Sequence, residues 1–283
     1  MPITIRLVQT HDEYRAVERL QREAWGFGDA ETVPGPLLLT AQKSGGLVLG
    51  AFDDGKEFGP QLVGFVFSFV GLAANGRIKH SSHMAAVAPA YQNRNLGYHL
   101  KLVQREHVLM QGITHITWTF DPLESRNAHL NLHKLGATCQ TYLPNVYGDM
   151  RDAINAGLPT DRFQLDWFIA SKHVEEHVHK THQNTSLRTC QSENIPLLSP
   201  PQTPEALKGK CVLVEIPSDF QSIKKQDPDL AKQWRQHTRE IFEAAFKKGY
   251  TVVDFIYEDG RSCYLLVKDW TPHAHQTSRV IPD

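Results

Sequence analysis

The sequence predicts an α/β fold for residues 1–170, a His- and Pro-rich linker or long loop at 171–209, and a smaller α+β module at 210–283. Three observations carry this reading. The chain opens with a strand feeding a helix, continues with two apolar runs joined by a turn signal, and then passes through a strand, helix, strand crossover. Period-two alternation marks the strands, and apolar residues at i, i+3 and i+4 mark the helices.

In chain order, ITIRLV (3–8) reads as a strand, and DEYRAVERLQREAWG (12–26) carries apolar residues at helical spacing before a glycine stop. GLVLGAF (46–52) and QLVGFVFSFVGL (61–72) flank the turn signal DDGKEFGP and pair as a hairpin. The strand HSSHMAAVA (80–88), the helix GYHLKLVQREHVLMQG and the strand ITHITWTFD (113–121) form the crossover. A short helix RNAHLNLHKLG (126–136) ends at Gly136, and ATCQTYLPNVYG and DRFQLDWFI (161–169) supply further strands. Beyond the polar tract HVEEHVHKTHQNTSLRTC and the proline-rich IPLLSPPQTPEALKGK come the strand CVLVEIP (211–217), the amphipathic helix DLAKQWRQHTREIFEAAFKKG (229–249) and a hairpin turning at Asp259 and Gly260.

With 283 residues, 41% hydrophobic and 22% charged, the chain is long enough for one large or two ordinary domains with real cores. Thirty Lys plus Arg against 31 Asp plus Glu leave a formal charge of −1, so no global field draws in nucleic acid or an anionic membrane, and neither is expected as a partner. No run approaches the ~20 apolar residues of a membrane span, and MPITIRLVQTHDEY lacks the basic start and apolar run of a signal peptide, so a cytoplasmic protein is expected. Cys139, Cys190, Cys211 and Cys263 stand apart without a CxxC, which suits reduced, core-filling thiols.

The informative stretch is AVAPAYQNRNLGYHLKLVQ (86–104). A strand ends at Val87 and Ala88, Pro89 cannot continue the ladder, and a helix begins near Gly97. The intervening loop and first helical turn offer backbone N–H donors at the positive end of a helix dipole, a cradle for a pyrophosphate. Such a loop turns through positive φ, which Gly97 supplies freely and Asn95 tolerates.

Here the sequence resembles the GNAT superfamily of acyl-CoA-dependent N-acyltransferases, whose phosphate loop reads Q/R-x-x-G-x-G/A after a strand ending in Val-x-Pro. Gln92-x-x-Asn95-x-Gly97 keeps that offset from Val87 and Pro89, with Asn95 in place of the first glycine. The order of elements from residue 3 to about 170 agrees, as do Asn127 and the helix ending LHKLGA. The resemblance covers roughly three-fifths of the chain and is to a bacterial branch with an added C-terminal region.

It implies a mixed, mostly antiparallel sheet flanked by helices, and acetyl-CoA or another acyl-CoA as co-substrate with no metal. The backbone of Ala85, Ala86 and Val87 would run beside the pantetheine arm, Gln92, Asn93, Arg94, Asn95, Leu96, Gly97 and Tyr98 would hold the pyrophosphate, and Asn127 would contact the pantetheine side. Family members present a Tyr as acid for the leaving thiolate where this chain has Leu132, which leaves Tyr142, Tyr147, Cys139 or water as replacements. His83 lies four residues before Val87, so simple alternation puts the two on one face; arylalkylamine N-acetyltransferases place a proton-relay histidine at that offset, and Ser81 would share the relay. His80, on the opposite face, is expected to be structural. Arg126 and Arg162 are weaker candidates for holding a carboxylate of an amino-acid acceptor.

HVEEH (173–177) fits the H-x-x-E-H pattern of a class of zinc peptidases, with His173 and His177 one turn apart and Glu176 beside them. It stands at the edge of a polar tract rather than in an apolar helix able to bury a metal, so a surface histidine tract is the expectation. The function expected is transfer of an acetyl or larger acyl group, succinyl included, to a small-molecule primary amine by direct attack. The alternative is a GNAT-shaped acyl-CoA-binding regulator or scaffold without turnover. Oligomeric state is not legible.

Overall fold

The computed structural model describes residues 3–57, 59–148, 157–181 and 185–272. The chain forms two compact units, dividing after Trp118 rather than at the composition change near residue 171.

The first unit runs β1 (Ile3–Leu7), α1 (His11–Trp25), α2 (Gly35–Lys43), β2 (Leu47–Asp53), β3 (Gln61–Leu72), β4 (Ile78–Val87), a 3₁₀ turn (Pro89–Tyr91), α3 (Leu96–Met110) and β5 (His115–Phe120), inside which the chain passes to the second unit. Its sheet order is β1-β2-β3-β4-β5, antiparallel except for the β4–β5 pair. Thr10 and Glu13 form a capping box at the start of α1, and Gly26 ends it in the left-handed region at φ 70°. Helix α2 answers to no clear period in PGPLLLTAQK; its signals are Pro34 as N-cap and a proline in the first turn, where the missing N–H costs nothing.

The two sheet faces take different helices. Trp25 of α1 meets Phe65 edge-on at 6.1 Å. Gly64, its neighbour on the opposite face, lies so close to α3 that a Cβ there would stand 3.2 Å from Leu100 Cδ1 and 3.5 Å from Leu96 Cδ2. Helix α3 thus beds tightly on the sheet near its N-terminus, and the loop before it inherits a fixed position.

The second unit contains α4 (Ser125–Ala128) running into a π turn (His129–Lys134), β6 (Thr138–Leu143), β7 (Arg162–Phe168), α5 (Lys172–Val178), α6 (Leu187–Ser192), β8 (Leu197–Leu198), a 3₁₀ turn (Pro204–Ala206), β9 (Cys211–Ile216), α7 (Phe220–Gln226), α8 (Pro228–Lys247), β10 (Tyr250–Glu258) and β11 (Arg261–Lys268). Its strand order is β7-β6-β10-β11-β9-β8. Cys139 of β6 pairs with Val252 of β10, so the strands at 138–168 share a sheet with the C-terminal hairpin. The polar, proline-rich stretch from 171 is also built in: Leu187 and Cys190 pack with Cys211, Leu213, Cys263, Leu265 and Trp270. All four cysteines are buried thiols, none of them in a disulfide. The expected fold class holds, a mixed and mostly antiparallel arrangement with flanking helices.

Candidate functional site

The site begins with an irregularity in β4. Phe67 pairs with Met84, but the next residue, Ser68, pairs with Ser82, so His83 is an inserted residue, a β-bulge. The insertion reverses the alternation. His80 and Ser82 share a face with Val70 and Ser68, whereas Ala85 and Val87 share that same face with Val66 and Gly64. His83 therefore does not share a face with Val87, as strict alternation requires. Its ring stands 5.9 Å from both Phe67 and Phe69, on the side to which Ser81 also turns through its pairing with Phe69. His83 is exposed at its edge, and apolar surroundings lower its pKa. His80 is buried on the α3 side, held by Ser68 Oγ at 2.9 Å and Gln111 Oε1 at 2.7 Å, a structural role.

The bulge coincides with a parting of strands. Among the described residues β4 pairs with β5 only at His80↔Ile116 and Ser81↔Thr117. From Ser82 to Val87 the edge of β4 facing β5 is released from that ladder, a wedge that closes at Ser81 and opens toward Val87. Released backbone groups on a strand edge are what an extended, amide-bearing ligand pairs with.

At the open end stands the loop. Ala88 donates to Val63 O, and the 3₁₀ turn at Pro89–Tyr91 is anchored by the Tyr91 hydroxyl donating to Asp53 Oδ2 at 2.6 Å. Arg94 and Lys56 lie over the Tyr91 ring at 5.3 and 5.7 Å, bringing two cations to the loop. Gln92 Nε2 donates to Val87 O at 3.2 Å. Positive φ is taken by Asn93 (62°) and Asn95 (58°), not by Gly97, which lies within the first turn of α3. Asparagine suffices because its short polar side chain tolerates the left-handed region. Asn95 is the N-cap residue and gives α3 no side-chain cap, so the first-turn N–H groups are not satisfied in the usual way.

Where the wedge closes, a polar cluster lies beneath α3. Lys101 is 5% exposed; its Nζ donates to Ser82 Oγ at 3.0 Å and Gln104 Oε1 at 2.9 Å and sits 3.8 Å from the Trp118 ring centre. Burial pushes its pKa down from 10.5 to about 7. Gln104 is fully buried, and its Nε2 has no hydrogen-bond partner. Sequence reading missed Lys101, Gln104, Lys56 and the Tyr91–Asp53 anchor. One signal was available: Leu96, Leu100 and Val108 make an apolar stripe on α3, and Gln104 occupies its middle.

The remaining candidates belong to the second unit. Asn127 and Arg126 are exposed on α4. Arg162 is not a loop residue open to a substrate but the buried first residue of β7; it donates to Asp161 O at 2.8 Å, lies 3.8 Å from Asp121 Oδ2 and stacks over Tyr147. Of the groups that could replace the family tyrosine, Tyr142 is buried and donates to Asp161 at 2.7 Å, with its pKa raised, and Cys139 is fully buried with its thiol pushed up. Tyr147 is exposed and bonds Thr119 at 3.0 Å. Leu132 is core. The expected surface histidine tract is corrected at His177, which is buried; its ring lies 4.3 Å from that of His173, which stands beside Trp270, and among the described residues no three metal-capable side chains form a group able to hold an ion.

A donor-rich loop that follows a strand ending at Val87 and leads into a helix is the part of the chain that carries the resemblance to GNAT acyltransferases. No protein-family model and no curated protein sequence matches the chain. Its structure is similar to the NatC complex bound to Gag peptide and CoA, with 14% identity, 59% of this chain and 98% of that one covered, and a TM-score of 0.48. It is similar to the ribosomal-protein-S18-alanine N-acetyltransferase of Escherichia coli, with 16% identity, coverage of 59% and 94%, and a TM-score of 0.44. Arabidopsis thaliana NAA60 in complex with acetyl-CoA matches at 12% identity, coverage of 59% and 99%, and a TM-score of 0.47.

Proposed function

We propose that the first unit binds an acyl-CoA and transfers its acyl group, acetyl or larger, to a primary amine by direct attack. The observation that carries this is the continuity of wedge and loop: the released edge of β4 at Ser82–Val87 leads into a loop of left-handed asparagines and an uncapped helix start. An extended arm ending in a pyrophosphate needs those two features in that order. Arg94 and Lys56 would add charge to the phosphate end.

The chemistry follows from what each part can supply. The amine must lose a proton to attack the thioester, and His83, exposed on the bulge with Ser81 on the same side, is the group we assign to receive it. A bulge leaves one backbone group outside the regular ladder, a donor or acceptor available to the thioester. The thiolate, with a pKa of ~8.5, departs without a strong acid, so Leu132 in place of a tyrosine slows transfer rather than forbidding it.

Thermal unfolding with and without CoA is the test. At a hundredfold excess over Kd, binding contributes about 2.7 kcal/mol, a shift of a few degrees. Gly97→Asp, which puts a carboxylate in the first turn of α3, should abolish that shift; an unchanged shift would refute the loop assignment. Amines screened against several acyl-CoAs, read by free thiol, then test turnover. CoA binding without turnover on any pair would favour the regulator or scaffold reading, to which the buried Leu132 and the engaged Tyr142 lend weight.

A further inference from the structure

The wedge between β4 and β5 has a definite closed end, and what lies there bears on the group transferred. Its last β4–β5 pair is Ser81↔Thr117, and the next residue on each strand, Ser82 and Trp118, turns toward α3. Lys101 Nζ reaches both, at 3.0 Å from Ser82 Oγ and 3.8 Å from the Trp118 ring centre. Gln104 completes the group, accepting from Lys101 through Oε1. With Lys101 protonated, that contact orients the amide with Oε1 toward Nζ at 2.9 Å. The buried Nε2 is then a genuine donor left over, and a buried donor without an acceptor is expensive.

A ligand laid into the wedge with its phosphates at the open end, against the loop at 92–98, comes to rest with its far end against this cluster. Nζ of Lys101 and Nε2 of Gln104 are donors, Ser82 Oγ links them by accepting from Lys101 and donating to Gln104 Oε1 at 3.4 Å, and an acetyl methyl offers the group nothing. A carboxylate offers two oxygens and a charge.

We propose that the closed end of the wedge is an acyl pocket that recognises a terminal carboxylate on the transferred group, through Lys101, Ser82 and Gln104, so that the donor is the CoA thioester of a short dicarboxylic acid. This rests on the acyl-CoA reading of the same wedge. It deepens that reading by naming the acyl class.

The experiment compares succinyl-CoA with butyryl-CoA, which has the same chain length without the carboxylate, and with CoA itself, by calorimetric titration of the full-length protein. The expected result is that succinyl-CoA binds about tenfold or more tighter than butyryl-CoA, the scale of hydrogen bonds to a charged group. Lys101→Met should erase or invert that ratio, each ligand being referred to CoA on the same variant. Wild-type protein that binds butyryl-CoA as tightly as succinyl-CoA, or tighter, overturns the proposal even if the variant does not fold. Failure of all three ligands to bind would instead defeat the acyl-CoA reading, so the two failures are distinguishable. A succinyl preference unchanged in Lys101→Met would also overturn the assignment to this cluster.

Discussion

Lys101 makes a thermodynamic prediction that needs no ligand. Its pKa falls from 10.5 to about 7 on folding because burial under α3 disfavours the charged form. The unfolded chain therefore binds the proton more tightly than the folded one. Below pH 7 the amine is charged in both states and the whole desolvation penalty is present. As pH rises from about 7 toward 10.5 the folded protein carries a neutral amine while the unfolded chain gradually gives up its proton, so the penalty fades and stability rises. At about 1.4 kcal/mol per pH unit the full penalty is roughly 5 kcal/mol, a large fraction of the stability of an ordinary domain. Lys101→Met removes it and keeps most of the packing volume, but forfeits the bonds to Ser82 and Gln104, a loss of about 2 kcal/mol. The variant should thus be about 3 kcal/mol more stable than wild type at pH 6, with the difference shrinking to near zero by about pH 9. Urea denaturation of both proteins at several pH values measures this. The buried histidines and thiols titrate in both chains, so their contributions cancel in the difference. A difference independent of pH from 6 to 9 would show that Lys101 does not change its proton affinity on folding, and would refute the reasoning.

Two further outcomes are expected. His83→Ala should lower kcat/KM for an amine acceptor by about 10² at neutral pH and recover much of the loss at high pH, where the amine is already free; superimposable pH profiles would return His83 to a packing role between Phe67 and Phe69. Arg235→Met should cost about 3–5 kcal/mol in urea denaturation, because it leaves Asp121, bonded to both terminal nitrogens of Arg235, as a carboxylate without its closest countercharge.

Much of the first unit was legible because its signals are local. The hairpin at 46–72, the strand before Pro89 and the helix after Asn95 rest on alternation, on the missing N–H of proline and on polar spacing, none of which needs distant residues. The bulge was not. A period-two reading of HSSHMAAV puts His83 and Val87 on one face, and only the pairing of Ser82 with Ser68 across the sheet reveals the insertion. Helix α2 escaped because its amphipathic period is weak and two prolines dominate its start. The grouping of β6 with the C-terminal hairpin escaped because it depends on Val252 finding Cys139, a contact more than a hundred residues apart in sequence. Composition misleads at 187–190 for a related reason: in a tract that reads as polar linker, Leu187 and Cys190 are enough to pin the backbone to a core.

Two of the buried cations among the described residues, Arg235 and Lys101, differ in a way that bears on the site. Arg235, 4% exposed, has its pKa raised despite desolvation, because the Asp121 carboxylate lies against it and the chain itself supplies the countercharge. Lys101 is equally buried, and its pKa moves the other way because desolvation dominates. The contrast follows from the side chains as well as their surroundings: a guanidinium does not give up its proton under these conditions and has to be paired, whereas an ammonium escapes burial by becoming an amine. An amine poised near neutrality is costly as a structural element, since a methionine of similar length would fill the space below α3 without the penalty. It is suited to a place where charge arrives with a ligand, since an incoming carboxylate would draw the proton back and be held by it. The second unit thus carries a fixed ion pair between Arg235 and Asp121, whereas Lys101 in the first unit has a proton affinity near neutrality that, on the proposal above, an incoming carboxylate would raise.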